Sequence, residues 1–138
     1  MDDADRRDPT PWKLAGKWIF GLSFVVTGVS HFIATDFFLK VMPPYVPLPR
    51  EMIWLSGVFE VALGILLLVP RTSRLAAWGL VALLVAVFPA NIHVYLHRDL
   101  FPPFPFSEVV HLVRLPFQGV LIYWAYGFTR RAAPEPAR

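Results

Sequence analysis

Four long apolar segments limit what this chain can fold into. They cover approximately residues 12–34, 50–69, 74–97 and 107–128. Each has about 20 residues or slightly more, enough for a helix to cross a hydrocarbon core about 30 Å thick. Backbone exposed to lipid cannot bond to water, so such segments must be helical. The sequence therefore predicts an all-α fold, a bundle of four transmembrane helices within residues 12–129, flanked by cytoplasmic tails at 1–11 and 130–138.

Composition supports a membrane protein and argues against nucleic-acid binding. Hydrophobic residues make up 56% of the 138 residues and charged residues 17%, against about 25% charged in soluble domains. Although the net charge is +3, the basic residues are sparse and form no patch. The chain contains no cysteine, so it has no disulfide and no thiol chemistry. We expect a multi-pass protein of the plasma or inner membrane, in contact with lipid and with no nucleic-acid partner.

Lysine and arginine are distributed unequally between the two ends of the predicted bundle. Nine lie in the N-terminal segment, the loop after the second helix and the C-terminal segment, and three lie in the other two loops. The nine are Arg6, Arg7, Lys13, Lys17, Arg71, Arg74, Arg130, Arg131 and Arg138, and the three are Lys40, Arg50 and Arg98. Because positive residues accumulate on the cytoplasmic side, both termini are predicted to be cytoplasmic.

The two predicted outer loops are rich in proline and aromatic residues. They read TDFFLKVMPPYVPLPR and HRDLFPPFPFSE and together hold seven of the fourteen prolines. Proline restricts φ and removes an amide donor, so both loops should be stiff. One interpretation is anchoring of the aromatic rings among lipid head groups. The other is a cap over the outer mouth of the bundle, with residues 37–42 as a short interfacial helix.

Polar and small residues recur at helical spacing along each predicted helix. The faces are Gly21, Phe24, Gly28 and His31 in the first, Gly57, Glu60 and Gly64 in the second, Gly79, Ala82, Ala86, Ala90, His93 and His97 in the third, and Glu108, His111, Arg114 and Gln118 in the fourth. Small residues let helices approach closely, so these faces should point into the bundle. Asn91 lies about 200° from His93, so we expect it to pack against a different neighbour. A nearby amide would satisfy a carbonyl freed by Pro89.

Seven polar residues form the candidate ligand-binding set, and no catalytic residue is assigned. They are His31, Glu60, Asn91, His93, His111, Arg114 and Gln118. A structural interpretation makes Glu60 and Arg114 a buried ion pair that sets helix register. A functional one makes them line a pocket for a polar head group or a quinone carbonyl. Histidines on separate helices could also bind haem, or a metal ion with Glu60, but no HExxH motif and no cysteine favours either cofactor.

Three stretches of the chain together resemble the DoxX-like family of small four-helix membrane proteins. They are GVSHF, VMPPYVPLPREMIWLSGVFEVALGILLLVPRTSRLAAWGL and VFPANIHVYLH. The resemblance extends over about residues 28–97 and resumes at RLPFQGVLI. It implies the same four-helix fold, and it implies that the family's inward polar positions fall on His31, Glu60 and Asn91.

The resemblance also implies a redox association. The family is similar to the membrane subunit of a thiosulfate:quinone oxidoreductase and to membrane partners in oxidative-stress complexes. We therefore expect an accessory subunit with no catalytic activity alone, a membrane or periplasmic redox partner protein, and a quinone- or lipid-like ligand in the outer half of the bundle. The alternative is a non-catalytic assembly or anchoring protein whose buried polar residues are purely structural.

Overall fold

The computed structural model describes residues 10–97 and 107–130, and the regular elements within these ranges are all helices. They are α1 (Pro11–Ile33), α2 (Thr35–Lys40), α3 (Pro49–Leu68), α4 (Ser73–Leu96) and α5 (Ser107–Gly127). The four long helices begin and end within one residue of the predicted segments. The short helix α2 corresponds to the one expected at residues 37–42, but it begins two residues earlier.

Three of these helices, α1, α3 and α4, are long and apolar enough to cross a membrane. The fourth long helix, α5, has 21 residues and is less apolar, because its sequence includes Arg114 and Gln118. Proline marks several helix boundaries: α1 and α3 each begin with a proline, where its missing N–H costs no hydrogen bond. After α3, the Thr72 hydroxyl donates to the Leu66 carbonyl at 2.8 Å, which closes a tight turn into α4.

Paired glycines bring α1 and α3 into direct backbone contact. Gly21 lies against Gly64 and Gly28 against Gly57, and the two positions on each helix are seven residues apart, so the helices are antiparallel. A Cβ atom on Gly28 would lie 2.7 Å from the Gly57 carbonyl oxygen, and one on Gly64 would lie 2.7 Å from that of Gly21. Only glycine permits this approach. The predicted inward faces of these two helices are confirmed.

The apolar core lies at one end of the bundle, which we call the termini end. It contains the N-terminal half of α1, the turn between α3 and α4, and the C-terminal half of α5. Its buried residues are Phe20, Phe24, Leu67, Ala76, Ala77, Leu80, Leu84 and Ala125. The Phe20 ring contacts Trp124 and Phe128 edge-on, at centroid distances of 5.1 and 5.6 Å, which brings α5 against α1. The opposite end, the loop end, contains α2, residues 41–48 and the last turn of α4.

The buried face of α4 differs from the predicted one. Ala82 and Ala86 belong to the predicted small-residue stripe, yet both are exposed. The buried residues are Ser73, Ala76, Ala77, Leu80, Leu84 and Val94. Adjacent residues are about 100° apart on a helix. The buried face of α4 is therefore rotated from the predicted face by the angle of roughly one residue. Leucine side chains, rather than close backbone approach, fill the space around α4.

Leu48 has a left-handed backbone conformation, with φ 49° and ψ 58°, at the start of α3. This conformation costs a non-glycine residue roughly 1–2 kcal/mol, and the side chain is 65% exposed, so its burial offsets little of that cost. Replacing Leu48 with glycine should raise the free energy of unfolding by about 0.5–1 kcal/mol, measured by thermal unfolding in mild detergent. Leu48→Val should lower it, because branched side chains tolerate this conformation least. If both substitutions change the free energy of unfolding in the same direction, the backbone of Leu48 is not strained.

Candidate functional site

His31 of α1 and Glu60 of α3 meet beside the contact between Gly28 and Gly57. Nε2 of His31 lies 3.8 Å from Oε1 of Glu60, and the two side chains are 13% and 12% exposed. The glycines make this possible, because a Cβ atom on Gly28 would lie 2.9 Å from the Glu60 Cβ, and one on Gly57 would lie 2.9 Å from the His31 Cβ. The close approach of the two backbones therefore brings the imidazole and the carboxylate together.

Hydrogen bonds from neighbouring groups orient both members of this pair. Nδ1 of His31 lies 2.8 Å from the Thr27 carbonyl oxygen, so Nδ1 carries the proton of the neutral ring. Nε2, which faces Glu60, is then a lone-pair acceptor, or a second donor when the ring is charged. The Ser56 hydroxyl donates to Oε1 of Glu60 at 3.3 Å, and the Thr27 side chain also lies within hydrogen-bonding reach of this carboxylate. The pair can accept a hydrogen bond from a polar group placed against it, or donate one through Nε2 when the ring is charged.

Helix α2 covers the His31 ring at the loop end. Phe38 stacks on the imidazole with a centroid distance of 4.2 Å and an interplanar angle of 11°. Nε1 of Trp54 donates to the Thr35 hydroxyl at 3.1 Å, which attaches the start of α2 to α3. This part of the first loop therefore lies over the polar pair, as expected of a cap. The second predicted outer loop, residues 98–106, lies outside the described residues.

Asn91 and Gln118 form a second polar group, between α4 and α5. Nδ2 of Asn91 donates to Oε1 of Gln118 at 2.6 Å, and Nε2 of Gln118 donates to the Leu84 carbonyl at 2.7 Å. Gln118 is only 3% exposed. Pro89 removes the helical partner of the Val85 carbonyl, four residues before it, whereas Gln118 binds the carbonyl of the adjacent Leu84. The amide that was expected to satisfy the carbonyl freed by Pro89 therefore binds its neighbour instead. Asn91 contacts a different neighbour from His93, as predicted.

His93 and His97 form a third group, at the C-terminal end of α4, where His93 lies in the last turn and His97 is the C-cap residue. Their rings are stacked with a centroid distance of 4.2 Å, and Nδ1 of His97 lies 3.0 Å from the His93 carbonyl oxygen. The Tyr45 ring meets His93 edge-on at 5.7 Å. The predicted set of seven residues therefore divides into separate groups. The side chain of His111, a member of this set, and that of Glu108 on the same predicted helix face lie outside the described part of the structure.

The predicted ion pair between Glu60 and Arg114 is wrong. Within the described residues, the ionic partner of Glu60 is His31. Arg114 is exposed on α5, which packs along α4, whereas Glu60 lies on α3, which packs against α1 and α4. The two charges therefore belong to helices that are not packing neighbours.

The polar contacts of Thr27 and Ser56 were not anticipated from the sequence. Thr27 lies four residues before His31, and Ser56 lies four residues before Glu60. Residues four apart share a helix face, so this spacing was the signal that could have found them. Among the side chains that the structure describes, which leave out Glu108 and His111, no three His, Asp or Glu residues are grouped closely enough to hold one metal ion.

The fold and these polar groups define a small helical membrane protein in which a histidine–carboxylate pair lies between two glycine-packed helices. Residues 20–129 match the family described as a domain of unknown function, DUF8561, and the chain belongs to that family. The matched region reaches from the middle of α1 to just beyond α5, so it contains every polar group described above. Neither a curated protein nor a solved structure gives a significant match.

Proposed function

We propose that the chain crosses the plasma or inner membrane four times, with both termini in the cytoplasm. The edge-on contact between Trp78 and Tyr126 lies near the termini end, and the bond between Asn91 and Gln118 lies nearer the loop end, so α5 runs antiparallel to α4. If α4 spans the bilayer, α5 returns beside it. The basic residues of the described chain agree with this orientation. Lys13, Lys17, Arg71, Arg74 and Arg130 lie at the termini end, and Lys40 and Arg50 lie at the loop end.

Within this orientation, the proposed role is that of a DoxX-like accessory subunit in a redox or oxidative-stress system. Its site binds a quinone- or lipid-like ligand against His31 and Glu60. The observation that carries this proposal is the paired, mostly buried imidazole and carboxylate on two rigidly packed helices. Ionisable groups inside a membrane bundle are costly and usually serve a function. No catalytic residue is assigned, so the proposed role needs a membrane or periplasmic redox partner protein.

The chemistry of the pair suits a ligand that both donates and accepts hydrogen bonds. A quinone carbonyl would accept a hydrogen bond from the charged His31 ring through Nε2. A hydroxyl of a quinol or of a lipid head group would donate to Glu60, whose carboxylate, when ionised, can only accept hydrogen bonds. Phe38, stacked on the other face of the imidazole, supplies an apolar surface beside the same position. The apolar tail of the ligand would extend into lipid.

A second candidate function is assembly or anchoring, with all of the polar residues structural. The group formed by Asn91, Gln118 and the Leu84 carbonyl favours this function, because each amide already bonds within the bundle. The His31–Glu60 pair would then serve only to join α1 to α3. A ligand-binding protein should retain a quinone or lipid through purification, whereas an assembly or anchoring protein should not.

The test compares Glu60→Gln with Glu51→Gln, an exposed glutamate in the first turn of the same helix. Each protein is purified in mild detergent, its extract is analysed for quinones and lipids by mass spectrometry, and a short-chain quinone is titrated into it. Since a hydrogen bond to a charged group is worth about 1.5–3 kcal/mol, Glu60→Gln should weaken ligand retention by about tenfold or more. Glu51→Gln should leave it unchanged.

Two results would count against the ligand site. One is a wild-type protein that retains no quinone or lipid beyond the level of bulk detergent-extracted lipid. The other is a Glu60→Gln variant that unfolds more easily while its ligand retention equals that of the Glu51→Gln control. Either result favours the assembly function.

A further inference from the structure

We propose that His93 and His97 form a two-histidine binding site for a borderline divalent cation, Cu²⁺ or Zn²⁺, at the loop end of α4. The two residues are four positions apart, so their side chains lie on the same helix face, and their rings are adjacent, with centroids 4.2 Å apart. Histidines at this spacing on a helix supply two of the ligands in many zinc sites. The inference is independent of the ligand proposed for His31 and Glu60.

The hydrogen bond of His97 directs a nitrogen lone pair away from the helix. Its Nδ1 lies 3.0 Å from the His93 carbonyl oxygen, so the proton of the neutral ring is on Nδ1 and Nε2 is free to coordinate. Histidine ligands of metals commonly donate their other N–H to a backbone carbonyl in this way. The geometry thus holds the ring in the tautomer that a metal requires.

The separation of the two rings is compatible with a shared ion. At metal–nitrogen distances of about 2.0–2.1 Å, two coordinating nitrogens lie roughly 3 Å apart. The ring centroids lie 4.2 Å apart and the rings are inclined to each other by 27°, so binding one ion requires the imidazoles to rotate about their side-chain torsions until their nitrogen lone pairs converge. The Tyr45 ring lies edge-on to His93 at 5.7 Å and limits the positions that this imidazole can take.

The surroundings of the pair favour an exchangeable ion rather than a buried one. His97 is exposed and His93 is partly exposed, so an ion in the surrounding water can reach both rings. His93 lies in the last turn of α4 and His97 is its C-cap residue, where the partial negative charge of the terminal carbonyls attracts cations. Within the described residues the pair supplies two imidazole ligands, and water molecules can occupy further coordination positions. Cu²⁺ accepts such a tetragonal set of nitrogen and oxygen ligands and binds most tightly of the first-row divalent ions.

The experiment titrates Cu²⁺ alone into detergent-solubilised protein that carries an affinity tag without histidine. Electron paramagnetic resonance, with pulsed detection of coupled nitrogens, counts the imidazoles on the bound copper. We expect one copper with two imidazole ligands in the wild type. His93→Gln and His97→Gln should each weaken Cu²⁺ binding by about tenfold or more, and each should leave one imidazole. His31→Gln is the control and should leave both the affinity and the imidazole count unchanged.

Three results would overturn the assignment. These are wild-type copper with fewer than two imidazoles, unchanged binding in His97→Gln, and loss of binding in His31→Gln, which would place the copper at the other histidine. His97 is exposed, so His97→Gln should fold normally, and it decides the question if His93→Gln aggregates. Addition of Cu²⁺ should also raise the thermal midpoint of the wild type and not that of His97→Gln.

Discussion

Gly28→Ala is expected to lower the free energy of unfolding by about 1–3 kcal/mol or more, the range for overpacking a well-packed interior. The added Cβ atom would lie 2.7 Å from the Gly57 carbonyl oxygen and 2.9 Å from the Cβ of Glu60. Neither a backbone oxygen nor a Cβ atom can rotate away, so α1 and α3 must separate. That separation should also pull His31 from Glu60, and Gly28→Ala should therefore lose any ligand that the pair retains. Thermal unfolding and ligand retention are measured on the same preparation.

Other glycines of the bundle provide graded controls for this substitution. At Gly119 an added Cβ meets nothing within 4 Å, so Gly119→Ala should be neutral or stabilise by up to about 1 kcal/mol, as for other glycines within helices. At Gly79 the nearest atom, at 2.6 Å, belongs to the flexible side chain of Leu63, which can move, so Gly79→Ala should cost less than Gly28→Ala. If Gly28→Ala and Gly119→Ala unfold at the same temperature, the backbone contact between α1 and α3 is not what holds these helices.

The helix boundaries could be predicted from the sequence because two independent signals agree. The apolar segments have the length that a bilayer requires, and prolines such as Pro49 and Pro70 mark their limits. The inward faces of α1 and α3 were also predictable, since their glycines recur on the same face as His31 and Glu60. Between residues 75 and 88, α4 is apolar on every side and its polar residues lie near its two ends, so no polar face orients the middle of this helix. The prediction of its buried face therefore depended on small residues such as Ala82 and Ala86, and the structure leaves both of them exposed.

The partners of the polar residues could not be predicted in the same way. Helical spacing shows which residues share a face, but it does not show which helices are neighbours. Glu60 was paired with Arg114 on the basis of charge, yet α5 packs along α4 and the basic group nearest to Glu60 is the His31 ring on α1. The contact between Asn91 and Gln118 depends on the same arrangement of helices. Only Thr27 and Ser56 could have been identified from residue spacing, because each lies four residues before His31 or Glu60 on the same helix.

Gln118→Leu is expected to destabilise the bundle by about 1–3 kcal/mol, the cost of leaving a buried polar group without a partner. Gln118 is 3% exposed, accepts from Asn91 and donates to the Leu84 carbonyl, so leucine at this position removes both bonds. The matched control is Phe117→Leu, the adjacent residue of α5, which is exposed and should change stability by less than about 0.5 kcal/mol. Thermal unfolding in mild detergent measures the stability of both variants.

A double variant distinguishes a structural Gln118 from a ligand-binding one. Gln118→Leu alone leaves the Asn91 amide without its hydrogen-bond partner. Adding Asn91→Leu removes that unpaired amide, so the double variant should be more stable than the sum of the two single effects predicts, by about 0.5 kcal/mol or more. Retention of quinone or lipid should be the same in Gln118→Leu as in the wild type, because the proposed ligand contacts His31 and Glu60 on other helices. A Gln118→Leu protein of wild-type stability that loses its ligand would instead place Gln118 in the binding site and extend that site from α1 and α3 to α5.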